Sequence, residues 1–215
     1  MMQQRQNRLV ITATPLIGRW SLTSTTNKSK AAWPPAPDTV FSALVAAAAS
    51  LGNACHPALY WLESLGNPAI DAGIAHARSE GIMTYAPVAD EIALEQGARK
   101  AREHNSVGAG PVSWSWPCAT TEHLAELEAI VREVTYIGSS RGPVTVSVAM
   151  SDAVLAPHVY VPDVGGQAMI RGLYRGRLDE LEAAFQNGER PKPTVEVGYR
   201  RAADERQAAL WGQVI

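Results

Sequence analysis

Between Arg8 and Gly18 apolar and polar residues alternate, with Leu9, Ile11 and Ala13 on one side, and the stretch reads as a strand. Arg19 to Ala32 is polar and rich in Ser and Thr, a loop too long for a tight turn. Trp33-Pro34-Pro35-Ala36-Pro37 must run extended, because each proline fixes its own φ and keeps its predecessor out of helical space. Asp38 then offers an N-cap, and Val40, Phe41, Leu44, Val45 and Ala48 recur at helical spacing up to a stop at Gly52. A short second helix runs from Ala58 to Leu65, with Leu59, Leu62 and Leu65 on one side. Ile82 to Val88 and Val112 to Trp116 read as neighbouring strands. The 89–111 segment between them begins acidic, turns basic and ends Gly-rich, and is too long for an ordinary hairpin loop, which marks it as functional or mobile. Thr121 caps a helix from Glu122 to Val134, whose stripe is Leu124, Leu127, Ile130, Val131 and Val134. Val144 to Met150 alternates cleanly and is the clearest strand of the set.

Strand, helix, strand, strand, helix, strand is the ferredoxin-like (RRM-like) βαββαβ unit, an α+β fold whose antiparallel sheet carries two helices on one face. Beyond it, Val159 to Pro162 is strand-like, Arg177 to Gln186 is a helix with Leu178, Leu181 and Phe185 facing inward, and Thr194 to Tyr199 is a strand. The tail from Arg200 carries only a weak helical pattern. The expected division is 1–150 as the main domain, with 89–111 inserted in it, and 151–215 as a smaller C-terminal α/β extension packed against it. Neither an internal repeat nor a low-complexity segment beyond the alanine run is visible.

At 215 residues with 46% hydrophobic content, the chain can bury one good core or two small ones sharing an interface. No apolar run reaches the roughly 20 residues of a membrane span, and no signal-type segment follows the basic start, so the expected location is the cytoplasm. Cys55 and Cys118 have no metal-ligand spacing and read as two reduced thiols; no metal and no cofactor are expected. A net charge of −2 and a pI near 6.2 argue against a nonspecific nucleic-acid binder. The charges are segregated, however. Acids concentrate in Glu122 to Glu133 and Asp179 to Glu189, whereas Lys28 and Lys30, then Arg99, Lys100 and Arg102, then Arg171, Arg175 and Arg177 sit in loop-like stretches with few acids. A local basic surface on a nearly neutral protein follows.

For hydrolysis the sequence offers little: it has no G-x-S-x-G, H-E-x-x-H, Walker loop or G-x-G-x-x-G after a strand. His56, His76, His104, His123 and His158 are scattered and read as surface or satisfied histidines. His104 stands apart because it follows the basic run. Metal-free RNA cleavage needs a base for the 2′-hydroxyl and an acid for the leaving oxygen, so His104 with Lys100 or Tyr136 is the enzymatic alternative. Binding is better supported. A loop bearing Arg99, Lys100 and Arg102 can follow a phosphate backbone or enter between bases, with a plain solvated loop as the competing reading. Arg171-Gly172-Leu173-Tyr174-Arg175-Gly176-Arg177 joins three guanidinium groups, a ring and two glycines ahead of a helix. Glycines admit close approach of a phosphate, and a helix N-terminus supplies free N–H donors. Tyr174 either stacks on a base or packs the helix onto the sheet. Trp33, Trp114 and Trp116 read as core or interface anchors.

Gly18-Arg19-Trp20, Trp33 to Pro37 and Phe41 to Ala47 resemble the opening of the Cascade "protein five" family in its type I-G (formerly I-U) form. The likeness continues through Ala58 to Glu63, Thr84 to Asp90 and Val134 to Ser140, and closes at Tyr174 to Leu181. It spans roughly Leu9 to Phe185, and the specificity lies in the ordered set rather than in any piece. The resemblance implies a RAMP-type, ferredoxin-like subunit that grips the five-prime handle of the guide RNA (crRNA), caps the filament of Cascade backbone subunits and contacts the large subunit. Target DNA is met only indirectly, through the complex, and the role is antiviral and anti-plasmid defence. Segment 89–111 falls where that family places its thumb. Arg19, Lys28, Lys30, Arg99, Lys100, Arg102, Arg141, Arg171, Tyr174, Arg175 and Arg177 are then the candidate RNA contacts. Many type I-G relatives continue into a half that processes precursor RNA; the present sequence stops at Ile215, so that half's catalytic residues are not carried over. The expectation is a non-catalytic binding subunit, with a metal-independent endoribonuclease and a purely structural linker between subunits as alternatives.

Overall fold

The computed structural model describes residues 7–22, 31–52, 56–73, 76–87, 99–117, 120–152 and 159–201. In chain order the elements are β1 (Arg8–Pro15), β2 (Arg19–Trp20), α1 (Pro37–Leu51), α2 (His56–Ser64), β3 (Ala69–Asp71), β4 (His76–Pro87), β5 (Arg99–Gly108), β6 (Val112–Pro117), α3 (Leu124–Glu133), β7 (Val144–Ser151), β8 (Tyr160–Pro162), β9 (Ala168–Arg171), α4 (Arg177–Gln186) and β10 (Glu196–Arg201). The protein is α+β. A seven-stranded sheet in the order β7-β1-β6-β3-β8-β10-β9 pairs antiparallel throughout.

Strand β1 shows why this sheet forms where it does. Its alternating Leu9, Ile11 and Ala13 are fully buried and stand opposite Trp116, Trp114 and Val112 of β6 and Met150, Val148 and Val146 of β7. Helices α1 and α3 close that face: Val40, Phe41 and Leu44 of α1 and Leu127, Ile130 and Val131 of α3 are all buried in the same core. The other face is small and polar, with Thr12 and Ser113 sharing a hydroxyl–hydroxyl bond of 2.8 Å. Among β1, β3, β6 and β7 the order is fourth, first, third, second. The C-terminal strands β8, β10 and β9 continue the same sheet from β3, where Ile70 pairs with Tyr160.

The expected pairing of the second and third strands is corrected. Ile82 to Val88 does not neighbour Val112 to Trp116; through Pro87 it forms the end of β4, whose partner is β5 in a separate three-stranded sheet, β2-β5-β4. The strand beside β6 is β3, three residues long and therefore too short to print an alternation. Within segment 89–111, read as a loop, residues 99–108 are the strand β5 and form half of an antiparallel ribbon; residues 89–98 lie outside the described residues. The ribbon is tied to the core at its base. Arg19 and Trp20 pair with Gly108 and Val107. Trp20 is 1% exposed, meets Trp33 and Trp114 edge-on at 6.4 Å each, and donates its indole N–H to the Gly110 carbonyl at 3.1 Å. Trp114 and Trp116 are buried as expected and donate to the carbonyls of Pro35 and Gly66.

Smaller expectations also shift. Asp38 is not the N-cap of α1; Ala36 is, and Asp38 lies inside the first turn. Helix α3 starts at Leu124 behind His123 rather than behind Thr121. Phe185, expected inside, is 86% exposed, because α4 turns its Leu178 and Leu181 to the core and leaves the next turn outside. The tail expected to be weakly helical from Arg200 opens instead with Arg200 and Arg201 in strand β10, and the rest of it lies outside the described residues.

Candidate nucleic-acid interface

The Arg171 to Arg177 stretch connects β9 to α4, and its polar groups have internal partners. The Glu63 carboxylate, on α2 and 4% exposed, accepts the N–H groups of Gly176 and Leu178, each at 2.9 Å. Two of the N–H groups that a helix N-terminus would offer an anion are therefore engaged by a buried side chain, and a third, that of Arg177, goes to the Tyr174 carbonyl. Asp38, 3% exposed, accepts Arg177 Nε at 3.0 Å and pairs with Arg171 Nη1 at 3.6 Å. Arg177 also reaches Glu180 at 3.2 Å, and Arg171 donates to Thr39 Oγ1 at 2.7 Å. Arg177 is thus a core residue, and Arg171 is held at the edge of the core with its side chain 22% exposed.

Gly172 serves packing and Gly176 serves backbone conformation. A Cβ on Gly172 would lie 2.5 Å from Val197 Cγ2 and 2.7 Å from Asn67 Oδ1, the oxygen that accepts the Leu173 N–H. Gly176 holds the cap position of α4 at φ 91°, in the left-handed region. Tyr174 is half-buried and donates its hydroxyl to Glu180; that bond, and then burial, raises its pKa above the ordinary phenol value. Tyr60 likewise donates to Asp179 at 2.6 Å, which pushes it up to about 12 and ties α2 to α4. Arg175 alone in the stretch is exposed, and it makes no hydrogen bond or ion pair with the described residues. Tyr174→Phe removes only a surface bond, so it is expected to cost no more than about 1 kcal/mol of folding stability, read from the shift in a urea melt.

The remaining candidates lie elsewhere. Arg99, Lys100, Arg102 and His104 belong to β5, paired with Pro87, Ala86, Thr84 and Ile82 of β4. Arg19, on β2, carries a buried Nε with no hydrogen-bond partner among the described residues. Arg141 is exposed in the turn between α3 and β7, its Nη1 3.3 Å from Ser139 Oγ. Lys28 and Lys30 fall outside the described residues, as do Cys55, Cys118 and His158. The enzymatic trio is divided between sheets: Lys100 and His104 are on the ribbon, whereas Tyr136 bridges to Pro143 beside β7 of the main sheet and is 45% exposed. His123 is occupied structurally, against Trp61 at 5.6 Å and Glu126 at 3.3 Å.

Two cations escape the sequence reading. Arg190 and Lys192 are exposed in the loop after α4 and, with Arg171, Phe185 and Tyr136, border an open concavity over the outer face of α1. Their signal is Arg-Pro-Lys-Pro, a cationic run that prolines keep out of a helix. Asp38 and Glu63 also go unnoticed as anchors, since their partners are distant in sequence. No group of three or more metal-ligating side chains occurs among the described residues, and no helix among them is long and apolar enough to cross a membrane.

The sequence from residue 15 to residue 204 matches a family of CRISPR-associated proteins, the GSU0054 family. The chain belongs to that family, and a role in CRISPR defence follows. No curated protein matches the sequence. The chain is also similar to a solved structure described as the crystal structure of a CRISPR protein from Archaeoglobus fulgidus, at 16% identity and a TM-score of 0.39, over 91% of this chain and 85% of that one.

Proposed function

We propose that this protein is the RNA-binding subunit of a type I CRISPR effector (Cascade) complex, of the RAMP "protein five" kind in its type I-G form. It holds the five-prime handle of the guide RNA, ends the backbone filament and contacts the large subunit in the cytoplasm, without cutting RNA. The observation that carries the reading is the ribbon. Strands of 12 and 10 residues form a sheet of their own with β2, and their sequences include the cations Arg78, Arg99, Lys100 and Arg102 but only Glu80 and Glu103 as acids, on a chain whose net charge is −2. A basic antiparallel ribbon fixed at its base follows a phosphate backbone better than a loose loop does, because less conformational freedom has to be given up on binding. The fourth-first-third-second order of β7, β1, β6 and β3 supports the ferredoxin-like reading of the main domain. Arg141 and Arg175 join the proposed contact set as exposed cations, while Arg177 serves the core.

Replacing Arg99, Lys100 and Arg102 together by Ala is expected to weaken guide-RNA binding and flatten its salt dependence, by about 0.7 in slope for each phosphate left without a neutralising cation. A salt titration of binding, with folding checked by circular dichroism, reads both. An unchanged slope in the folded variant removes the ribbon from the interface. In the same reading, labelled repeat RNA incubated with the protein in chelator stays whole; cleavage abolished by His104→Ala would establish the metal-independent nuclease instead.

A further inference from the structure

Strand β7 lies at one edge of the seven-stranded sheet, paired with β1 on one side only. Its register fixes which backbone groups look outward. Leu16 donates to the Pro143 carbonyl on the β1 side, whereas the Val144 N–H goes the other way, to Thr135. Because the direction alternates with each residue in an antiparallel ladder, Val146, Val148 and Met150 also turn their N–H and C=O groups away from β1. None of those groups has a backbone partner among the described residues.

Natural sheets blunt such an edge with charge, proline or a bulge. Strand β7 has none of these: Val-Thr-Val-Ser-Val-Ala-Met-Ser carries no charge and no proline, and it pairs with β1 in unbroken register over all eight residues. A row of alternating donors and acceptors at strand spacing is matched by another strand and by no other shape of partner. The edge is also complementary to itself. With a two-fold axis at Val148, each Val146 stands opposite Met150 of the other strand, on the face where Val144 and Val148 are 4% and 9% exposed. On the other face Ser147 stands opposite Ala149, and Thr145 opposite Ser151, so no bulk or like charge opposes contact from Thr145 to Ser151; the pairing ends there, because Val144 already gives its N–H to Thr135 and Pro143 is bridged to Tyr136.

We propose that the free protein associates with a second copy of itself by antiparallel pairing of β7 with β7, continuing one sheet into the next. This inference is independent of the RNA reading, so either can fail alone. A strand pair covers less than a standard interface of about 1,600 Å², which puts the association among the weak ones, to be sought at high protein concentration, on the order of 0.1–0.5 mM. The test is light scattering coupled to gel filtration over that range, with amide exchange followed at Val146, Val148 and Met150. The expected result is a rise toward dimer mass, with those amides exchanging at least about tenfold more slowly in the dimer. Two variants locate the contact. Val146→Pro removes an outward N–H at an edge position that tolerates proline, and Ser147→Lys sets an ammonium near its symmetry mate. Both are expected to stay folded and monomeric. A wild-type chain that remains monomeric at about 0.5 mM, or a dimer that survives in folded Ser147→Lys, overturns the proposal.

Discussion

Asp38→Ala is expected to destabilise the fold by about 3–5 kcal/mol, the cost of leaving a buried charge without its partner. The carboxylate is 3% exposed and receives two guanidinium groups, Arg177 at 3.0 Å and Arg171 at 3.6 Å. Arg171 lies near enough to solvent to adapt, but Arg177, itself 3% exposed, keeps only its bond to Glu180. Asp38 lies on α1 and Arg177 opens α4, so the same change weakens the join between these two helices. The effect appears as a lower urea midpoint at unchanged m-value. Adding Arg177→Met to Asp38→Ala is expected to restore part of the stability, because the uncompensated charge is then gone. A single variant within about 1 kcal/mol of wild type, the scale of surface changes, contradicts this assignment.

Trp20→Ala is the other large effect, about 3–5 kcal/mol for truncating a fully buried aromatic. Its ring touches Trp33 and Trp114, its N–H is bonded to Gly110, and its backbone pairs with Val107 at the base of the ribbon. Stability and ribbon are therefore coupled at one side chain. Amide exchange in Val107 and Gly108 is expected to accelerate more than exchange in β1, whose pairing with β6 and β7 does not pass through Trp20. Uniform acceleration across both sheets contradicts a special role at the ribbon base.

The parts of the fold that are legible in the sequence are those with one wet side and one dry side. Strands β1 and β7 print a period of two, and α3 prints Leu127, Ile130 and Val131, because each buries one face. Strands β3 and β9, three and four residues long, are too short to print any period. Strand β5 is hidden for another reason: Arg-Lys-Ala-Arg-Glu-His-Asn-Ser reads as a loop by composition. Its strand state rests on main-chain pairing with β4, which leaves no trace in side-chain type. The same limit explains the site. Arg175 and Arg141 are visible as cations and are exposed, but Arg177 is equally visible as a cation and is buried. What distinguishes it is Asp38, 139 residues earlier, just as the filled N-terminus of α4 depends on Glu63, 113 residues before Gly176.

As proposed, this chain recognises the repeat-derived five-prime end of the guide RNA. The direct measurement is its affinity, at one fixed ionic strength, for a guide RNA with an intact handle and for the same RNA with the handle removed. The proposed function requires the intact RNA to bind at least about tenfold more tightly, or about 1.4 kcal/mol. Equal affinity for the two RNAs, or no binding to either by folded protein, would contradict it.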